Sequence, residues 1–299
     1  MGHSRSTMSN QHLTRYLARM RRVLDHIDAA GQEPLGIEAL ATVAAFSPFH
    51  FQRQFSSLLG MSVGEYQRQA RLRRAAMRLA HRPQESVTAI ALDAGYGSNE
   101  AFARAFRSLL GQSPSAFRAG PDWRALDMLV DRLNSLRSQH MPEHFQPSDV
   151  DILDFPETRL LTLEHRGAPA LIGATIQRFI AFRRTHRLPP DACATFNLFP
   201  VDPIATPAED FRMMLGVATP RQIEAEGFEA RTIPAMRAAR IVQTGNPDNL
   251  GPGFDFLYGQ WLPASGEEMR DHPPFVRRVS FYPDVPLHEA VTELYLPLA

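Results

Sequence analysis

Apolar positions recur at helical spacing along the first third of the chain, and one stretch sets the pattern for what surrounds it. In residues 47–66, SPFHFQRQFSSLLGMSVGEY, a helix turning about 100° per residue puts Phe51, Phe55, Leu58 and Leu59 on one face. Phe49, Arg53 and Ser56 fall opposite, with Gln52 at the flank. The stretch returns 51 positions later as SNEAFARAFRSLLGQSPSAF, residues 98–117. Ser47, Phe51, Arg53, Phe55, Ser57, Leu58, Leu59, Gly60 and Ser62 all recur there as the same residue type, too many for chance in so short a window. Each copy predicts an amphipathic helix with an arginine pointing outward. A shorter helical pattern precedes each: Ile37, Leu40, Val43 and Ala44 in one case, Val87, Ile90, Ala91 and Ala94 in the other, with only a few residues in between. That is the spacing of a helix-turn-helix, whose second helix lies in a major groove with side chains facing base edges. An ordinary helical pair packed in a core is the bland alternative, and it leaves the arginine in register in both copies unexplained.

The flanking patterns extend this helical region. Leu17, Met20, Leu24 and Ile27 have helical spacing, and Gly31 with Pro34 ends that helix, which is expected to cover the first helix-turn-helix. Between the two copies, VGEYQRQARLRRAAMRLAHRP reads as one long helix stopped by Pro83, with Leu72, Ala76 and Leu79 on one side and Arg71, Arg74 and Arg78 on another. Roughly 18 residues at about 1.5 Å each span about 27 Å, near the ~34 Å pitch of DNA, so a rod of this length suits two recognition helices in successive major grooves. The three arginines either touch phosphate or pair with Glu65, Glu85 and their neighbours, and the pattern leaves both readings open.

Beyond residue 120 the pattern changes. A polar helix carrying Leu126, Leu129, Val130, Leu133 and Leu136, then QHMPEHFQP, reads as a linker over residues 121–147. A second duplication follows at an offset of 78: Gly167 and Pro169 match Gly245 and Pro247, and the quartet Ile172, Ile176, Phe179, Ile180 matches Leu250, Phe254, Leu257, Tyr258. A strand-like run precedes each Gly-x-Pro (160–165, 238–243), and two more follow each helix (194–199 with 211–218; 275–282 with 291–296). Each module therefore predicts strand, helix, strand, strand, and two modules together predict a curved antiparallel sheet with helices on one face. The fold class expected is an all-helical double helix-turn-helix domain followed by an α+β domain.

Composition sharpens this division. The 299 residues suggest two domains, 44% hydrophobic composition supports real cores, and no apolar run approaches membrane-spanning length. The opening MGHSRSTMSNQH has no apolar stretch after its arginine, so it reads as a floppy end or in part a cloning remnant rather than a signal peptide, and the location expected is cytoplasmic. The net charge of zero hides an asymmetry: residues 1–124 hold 16 arginines against 9 acidic residues, a balance of +7, and residues 125–299 hold 16 against 23, a balance of −7. A basic half joined to an acidic half suits a nucleic-acid binder with a separate sensor. The single Cys193 excludes an internal disulfide and a multi-cysteine zinc site. Only His140 and His144 approach metal-ligand spacing, which a solvated linker turn explains better, and no HExxH, Walker or GxGxxG pattern is present, so no metal or cofactor is expected.

On these residues the region 12–120 resembles the DNA-binding domain of the AraC family of transcription regulators, and AGYGSNEAFARAFRSLLGQSPSAFR is similar to that family's signature over the second unit. The resemblance implies base-reading roles for Phe49, Gln52 and Arg53 in the first helix and for Asn99, Glu100, Ala103 and Arg104 in the second. Arginine and glutamine suit guanine and adenine edges, Ala103 offers only a methyl contact, and Glu100 needs a cytosine amino group or a water, so the second reader is chemically thinner. Residues 148–299 resemble the GyrI-like effector-binding domain, on the IPAMRAA strand, the YGQWLP helix end and the closing TELYLPL strand. That resemblance implies a cleft for an amphipathic, often cationic, small molecule, with Tyr258, Trp261, Tyr282 and Glu293 as candidates. The bland readings stand beside them. Tyr258 sits on a stripe more often core than pocket, Trp261 beside Leu-Pro also caps cores, and Glu293 lies either at a solvated edge or deliberately buried.

Three functions follow. The first is a ligand-responsive transcription regulator of Rob and BmrR type, binding double-stranded DNA at an asymmetric site, with RNA polymerase as a further candidate partner and no membrane contact. The second gives the C-terminal half a protein partner, polymerase or gyrase. The third is a hydrolase tethered to DNA, which no Ser-His-Asp order, nucleophile elbow or metal set supports.

Overall fold

The computed structural model describes residues 3–30, 34–140, 145–202, 205–282 and 284–299. Two compact units divide the chain, one from residues 1–142 with 286–288 and one from residues 143–285 with 289–299.

The first unit is helical: α1 (His3–Ala29), α2 (Ile37–Ala44), α3 (Pro48–Leu59), α4 (Val63–His81), α5 (Val87–Asp93), α6 (Asn99–Leu110), α7 (Pro114–Ala119) and α8 (Trp123–His140). Serines set the helix starts. Ser47, Ser62, Ser86, Ser98 and Ser113 stand at the N-caps of α3 to α7, each side chain accepting a backbone N–H from the third residue on, which satisfies a donor the helix itself cannot. One core runs through the unit. Phe51, Phe55 and Leu59 of α3 and Phe102, Phe106 and Leu110 of α6 point into it, joined by Met20, Leu24 and Ile27 of α1 and by Leu72, Ala76 and Leu79 of α4.

Two expectations change here. The segment expected as a floppy end enters the first helix at His3. The presumed linker helix α8 is part of the helical unit, because Leu126, Leu129 and Leu133 bury on one stripe and Arg137 pairs with Asp25 at 2.8 Å and Asp28 at 3.1 Å on α1. Its polar average concealed a narrow apolar stripe, which is all a helix needs to dock.

In the second unit the elements are β1 (Val150–Phe155), β2 (Thr158–Arg166), α9 (Ile172–Thr185), β3 (Thr195–Leu198), β4 (Arg212–Ala218), β5 (Phe228–Ile233), β6 (Met236–Thr244), α10 (Gly251–Phe256), a π turn (Leu257–Trp261), α11 (Leu262–Ser265), β7 (Phe275–Arg278) and β8 (Val291–Leu298). The eight strands of the described residues form one antiparallel sheet in the order β1-β6-β8-β7-β3-β4-β2-β5. Each module thus carries one strand more than expected, β1 and β5. These two exchange: β1 pairs with β6 of the second module and β5 with β2 of the first. Their burial patterns are largely exposed, as suits sheet edges, and this hid them from a search for apolar runs.

Alternation along the strands divides the sheet into two faces. Leu161, Leu163, Leu215, Ile241, Leu294 and Leu296 pack with Phe179 and Phe182 of α9 and with Phe256, Leu257 and Trp261, so both helical segments cover one face. Phe155, Leu160, Phe196, Phe275 and Tyr295 make a separate cluster on the other.

Candidate functional site

The helix-turn-helix copies present matching surfaces. On α3, Phe49 is 69% exposed and Gln52, Arg53 and Ser56 face outward; on α6, Asn99, Glu100 and Arg104 face outward and Ala103 is half-buried. Arg53 and Arg104 have no protein partner among the described residues, so each guanidinium keeps its five donors for an external acceptor. Asn99 is partly committed, donating from Nδ2 to Thr88 Oγ1 at 2.9 Å on α5. One further residue belongs to this surface. Arg107 is exposed one turn beyond Arg104, at the position Ser56 holds in the first copy, and the offset of 51 that aligned the copies also aligned these two. The second helix therefore carries two outward arginines and the first carries one.

Pairing decides two of the three α4 arginines. Arg74 donates to the carbonyls of Asp28 at 2.8 Å and Ala30 at 2.6 Å. Arg78 pairs with Glu85 at 2.5 Å and Asp93 at 2.7 Å. Burial costs Arg78 and Glu85 some of their charge stability, but their mutual contacts win, and the Glu85 carboxyl is held below the usual range by Arg82 and Arg78. Arg71 differs: its Nε and Nη1 are buried without a protein acceptor among the described residues, and burial lowers its pKa.

The four residues expected to hold an effector do not meet. Trp261 is 8% exposed in the core between sheet and helices. Tyr258 is turned away from that core at 38% exposure, because the π turn spanning Leu257–Trp261 shifts the buried face onto Phe256, Leu257 and Trp261. Strand β7 ends at Arg278, which leaves Tyr282 in the turn beyond it. Glu293 shares its face with Tyr295, opposite to Leu294 and Leu296, and so projects from the helix-free side of the sheet.

A cleft lies on that side. It has a volume of about 350 Å³ and is lined by Leu153, Phe155, Phe196, Arg240, Arg277 and Tyr295, with small residues Ala194 and Ala218 among the others. Phe155 stands edge-on to Phe275 at 4.9 Å, to Tyr295 at 5.2 Å and to Phe196 at 6.2 Å, while Phe275 and Tyr295 stack at 4.9 Å. Beside this aromatic floor, Glu293 accepts from Tyr295 Oη at 2.8 Å and from Arg240 at 3.3 Å, with Arg277 at 3.6 Å; Arg240 also reaches Asp151 at 2.7 Å. The Tyr295 phenol is pushed well above its ordinary range, by burial first and then by donating to a carboxylate. Hydrogen bonding to Asp151 raises Arg240 in the same sense.

Sequence reading named Glu293 but not the residues that surround it. Phe155 lies in an edge strand that was not foreseen, and Arg240, Arg277 and Phe196 share the face only through register across β6, β8, β7 and β3. The side chains of His140 and His144 lie outside the described residues. Among the described residues no group of three or more His, Cys, Asp or Glu is placed to hold a metal.

Paired helix-turn-helix units with free outward guanidiniums, joined to a sheet unit holding an aromatic cleft, define a DNA-binding protein with an attached small-molecule domain. Comparison with known proteins agrees. The model of the GyrI-like small molecule binding domain matches residues 148–299 and that of a helix-turn-helix domain matches residues 40–120. The probable transcriptional regulator YgiV of Escherichia coli (strain K12) is 30% identical over 154 residues, 50% of this chain and 96% of that protein. The right origin-binding protein of the same organism is 33% identical over 128 residues, 42% of each chain. Among solved structures, the EcmrR–DNA complex in EcmrR-RPo covers 88% of this chain and 98% of its own at 13% identity, but its TM-score of 0.43 adds nothing to the assignment. The chain belongs to the GyrI-like family over its second unit and carries an AraC-type helix-turn-helix domain before it, which makes it a DNA-binding AraC-family transcription regulator and not an enzyme. No described helix is long and apolar enough to cross a membrane.

Proposed function

We propose that this regulator reads an asymmetric duplex site with two unequal helices, α3 through Phe49, Gln52 and Arg53, and α6 through Asn99, Glu100, Ala103, Arg104 and the added Arg107. The observation that carries the reading is the pair Arg53 and Arg104, in register on equivalent capped helices and both without a protein partner among the described residues. Arginine there suits a bidentate contact to guanine O6 and N7, and Gln52 suits adenine. The 19 residues of α4 rise about 28 Å at ~1.5 Å each, which supports placing the two helices in successive major grooves on one side of the duplex. Domain limits of 12–120 for DNA binding and 148–299 for the effector follow, with α8 counted to the helical unit in place of a free linker. The protein acts where its DNA is, in the cytoplasm.

The small molecule is proposed to sit in the helix-free cleft, on Phe155, Phe196 and Tyr295 beside Glu293, rather than near Tyr258, Trp261 and Tyr282. An amphipathic ligand fits, since the cleft joins an aromatic floor to an ion network. Activation, as opposed to repression, requires a contact with RNA polymerase, which run-off transcription with and without the regulator tests. The test of the whole reading is selection of bound sequences from a random DNA pool, with and without candidate effectors. Two subsites of different sequence about 10 base pairs apart are expected. A palindromic consensus would overturn the asymmetric reading.

A further inference from the structure

The carboxylate that invites a cation beside this cleft is already occupied. Glu293 has 13% of its side chain exposed, and both of its oxygens are engaged, Oε1 by Arg240 at 3.3 Å and Oε2 by the Tyr295 hydroxyl at 2.8 Å with Arg277 at 3.6 Å. A cation seeking Glu293 must compete with Arg240, Arg277 and the Tyr295 hydroxyl for a carboxylate whose charge is already matched. Arg277 is the reverse case. Its side chain is 45% exposed, it lines the cleft, and among the described residues its one ion-pair partner is Glu293 at 3.6 Å, beyond a good hydrogen bond, so nearly all of its donors are available. Register places it directly between Glu293 on β8 and Phe196 on β3, at the junction of the ion network and the aromatic floor.

The geometry points to a ligand with an aromatic or long apolar body and one acidic group, the acid held by Arg277 and the body lying on Phe155 and Phe196. The inference rests on the helix-free cleft as the effector site and adds the ligand's charge class to it. Arg240 plays a different part. Fixed between Asp151 at 2.7 Å and Glu293, it holds the carboxylate that orients Arg277, so it is a positioning residue. Planar guanidinium accepts a carboxylate, a sulfonate or a phosphate monoester through paired N–H donors, and these three share the chemistry required.

The test uses the full chain and one body with changed head groups: 2-naphthoate, 2-naphthamide and 2-naphthylmethylammonium, with naphthalene-2-sulfonate and 2-naphthyl phosphate to separate the acids, titrated by calorimetry. Naphthoate is expected to bind at least ten-fold tighter than the amide and the ammonium. Arg277→Gln should erase that preference and Arg277→Lys restore part of it, in variants whose melting shows them folded. Tighter binding of the ammonium than of any acid, sensitive to Phe196→Ala, overturns the acidic ligand while keeping the cleft. Binding indifferent to both Phe155→Ala and Phe196→Ala sinks the cleft itself, and with it this inference. No binding by any of the five compounds at millimolar concentration counts against both.

Discussion

Both units of this regulator are built by duplication, and the duplicates behave differently. In the helical unit the copies nearly superimpose in role: the same phenylalanines bury, the same serines cap, and Gly60 and Gly111 end α3 and α6 alike at positive φ. In the sheet unit the modules share topology, yet the helix-free face is unequal. Where the second module presents Tyr295, Glu293 and Arg277, the corresponding strands of the first present Gly216, Met214 and Leu198. Two copies of a groove reader each have a groove to fit, so likeness serves both. The first module has an ion network too, Glu164 with Arg166 and Arg212, but it lies outside the lining of the aromatic cleft, where the second module places Arg240 and Arg277.

The largest test of this comparison concerns a place where the helical copies do differ. Tyr66, after the first reading helix, is fully buried beside Asp28, Arg137 and Arg73, whereas Phe117 at the equivalent position has an apolar setting. Arg137→Met removes a partner from Asp28, which is 3% exposed, and should lower stability by about 3–5 kcal/mol in urea denaturation. A loss under about 1 kcal/mol would detach α8 from the helical unit.

Next in size are the readers. Arg53→Ala and Arg104→Ala should each weaken binding to the selected site by about 1 to 3 kcal/mol, with much less change on random DNA. Arg53→Ala should relax sequence preference more, because α6 retains Arg107 when Arg104 is lost. Equal losses on specific and random DNA in a competition assay would make both arginines phosphate contacts.

Acid should act on both units. Glu85 in the helical unit and Glu164 in the sheet unit each feel burial pushing the carboxyl up, yet arginine contacts, from Arg78 and Arg82 and from Arg166 and Arg212, hold it below its usual value. A folded pKa below the unfolded one means that the stabilisation is present above about pH 4.3 and is lost as pH falls through the folded value. Melting temperature should therefore decline below that pH. Glu85→Gln should flatten the decline for the helical transition, and an unchanged acid slope in this variant would remove Glu85 from the account.

The smallest effect compares the two turns. Ala45 sits at φ 53° between α2 and α3, while the second copy has Gly95 at φ 77°. An L-residue in that region costs about 1–2 kcal/mol, and glycine's greater freedom when unfolded takes part of it back. Ala45→Gly should stabilise by about 0.5–1 kcal/mol and Gly95→Ala should destabilise. A stabilising Gly95→Ala, read by thermal melting, would show that the turns are not equivalent.

The sequence by itself determined the duplications, the helix-turn-helix pair, the outward face that carries Arg53 and Arg104, and the order of the two units. These depend on local periodicity, capping serines and glycines, all written within about four residues of where they act. Tertiary structure alone decided the rest. The exchange of β1 and β5 between modules, the docking of α8 through Leu126, Leu129 and Leu133, and the meeting of Phe155, Phe196, Arg240, Arg277 and Glu293 all arise from strand register and from contacts between residues far apart in the chain. A side chain's face can be read from alternation once its strand is known. Which strand lies beside it is fixed only when the whole sheet closes its hydrogen bonds, and that choice separated Glu293 from Tyr258 and Trp261 and placed it between two arginines.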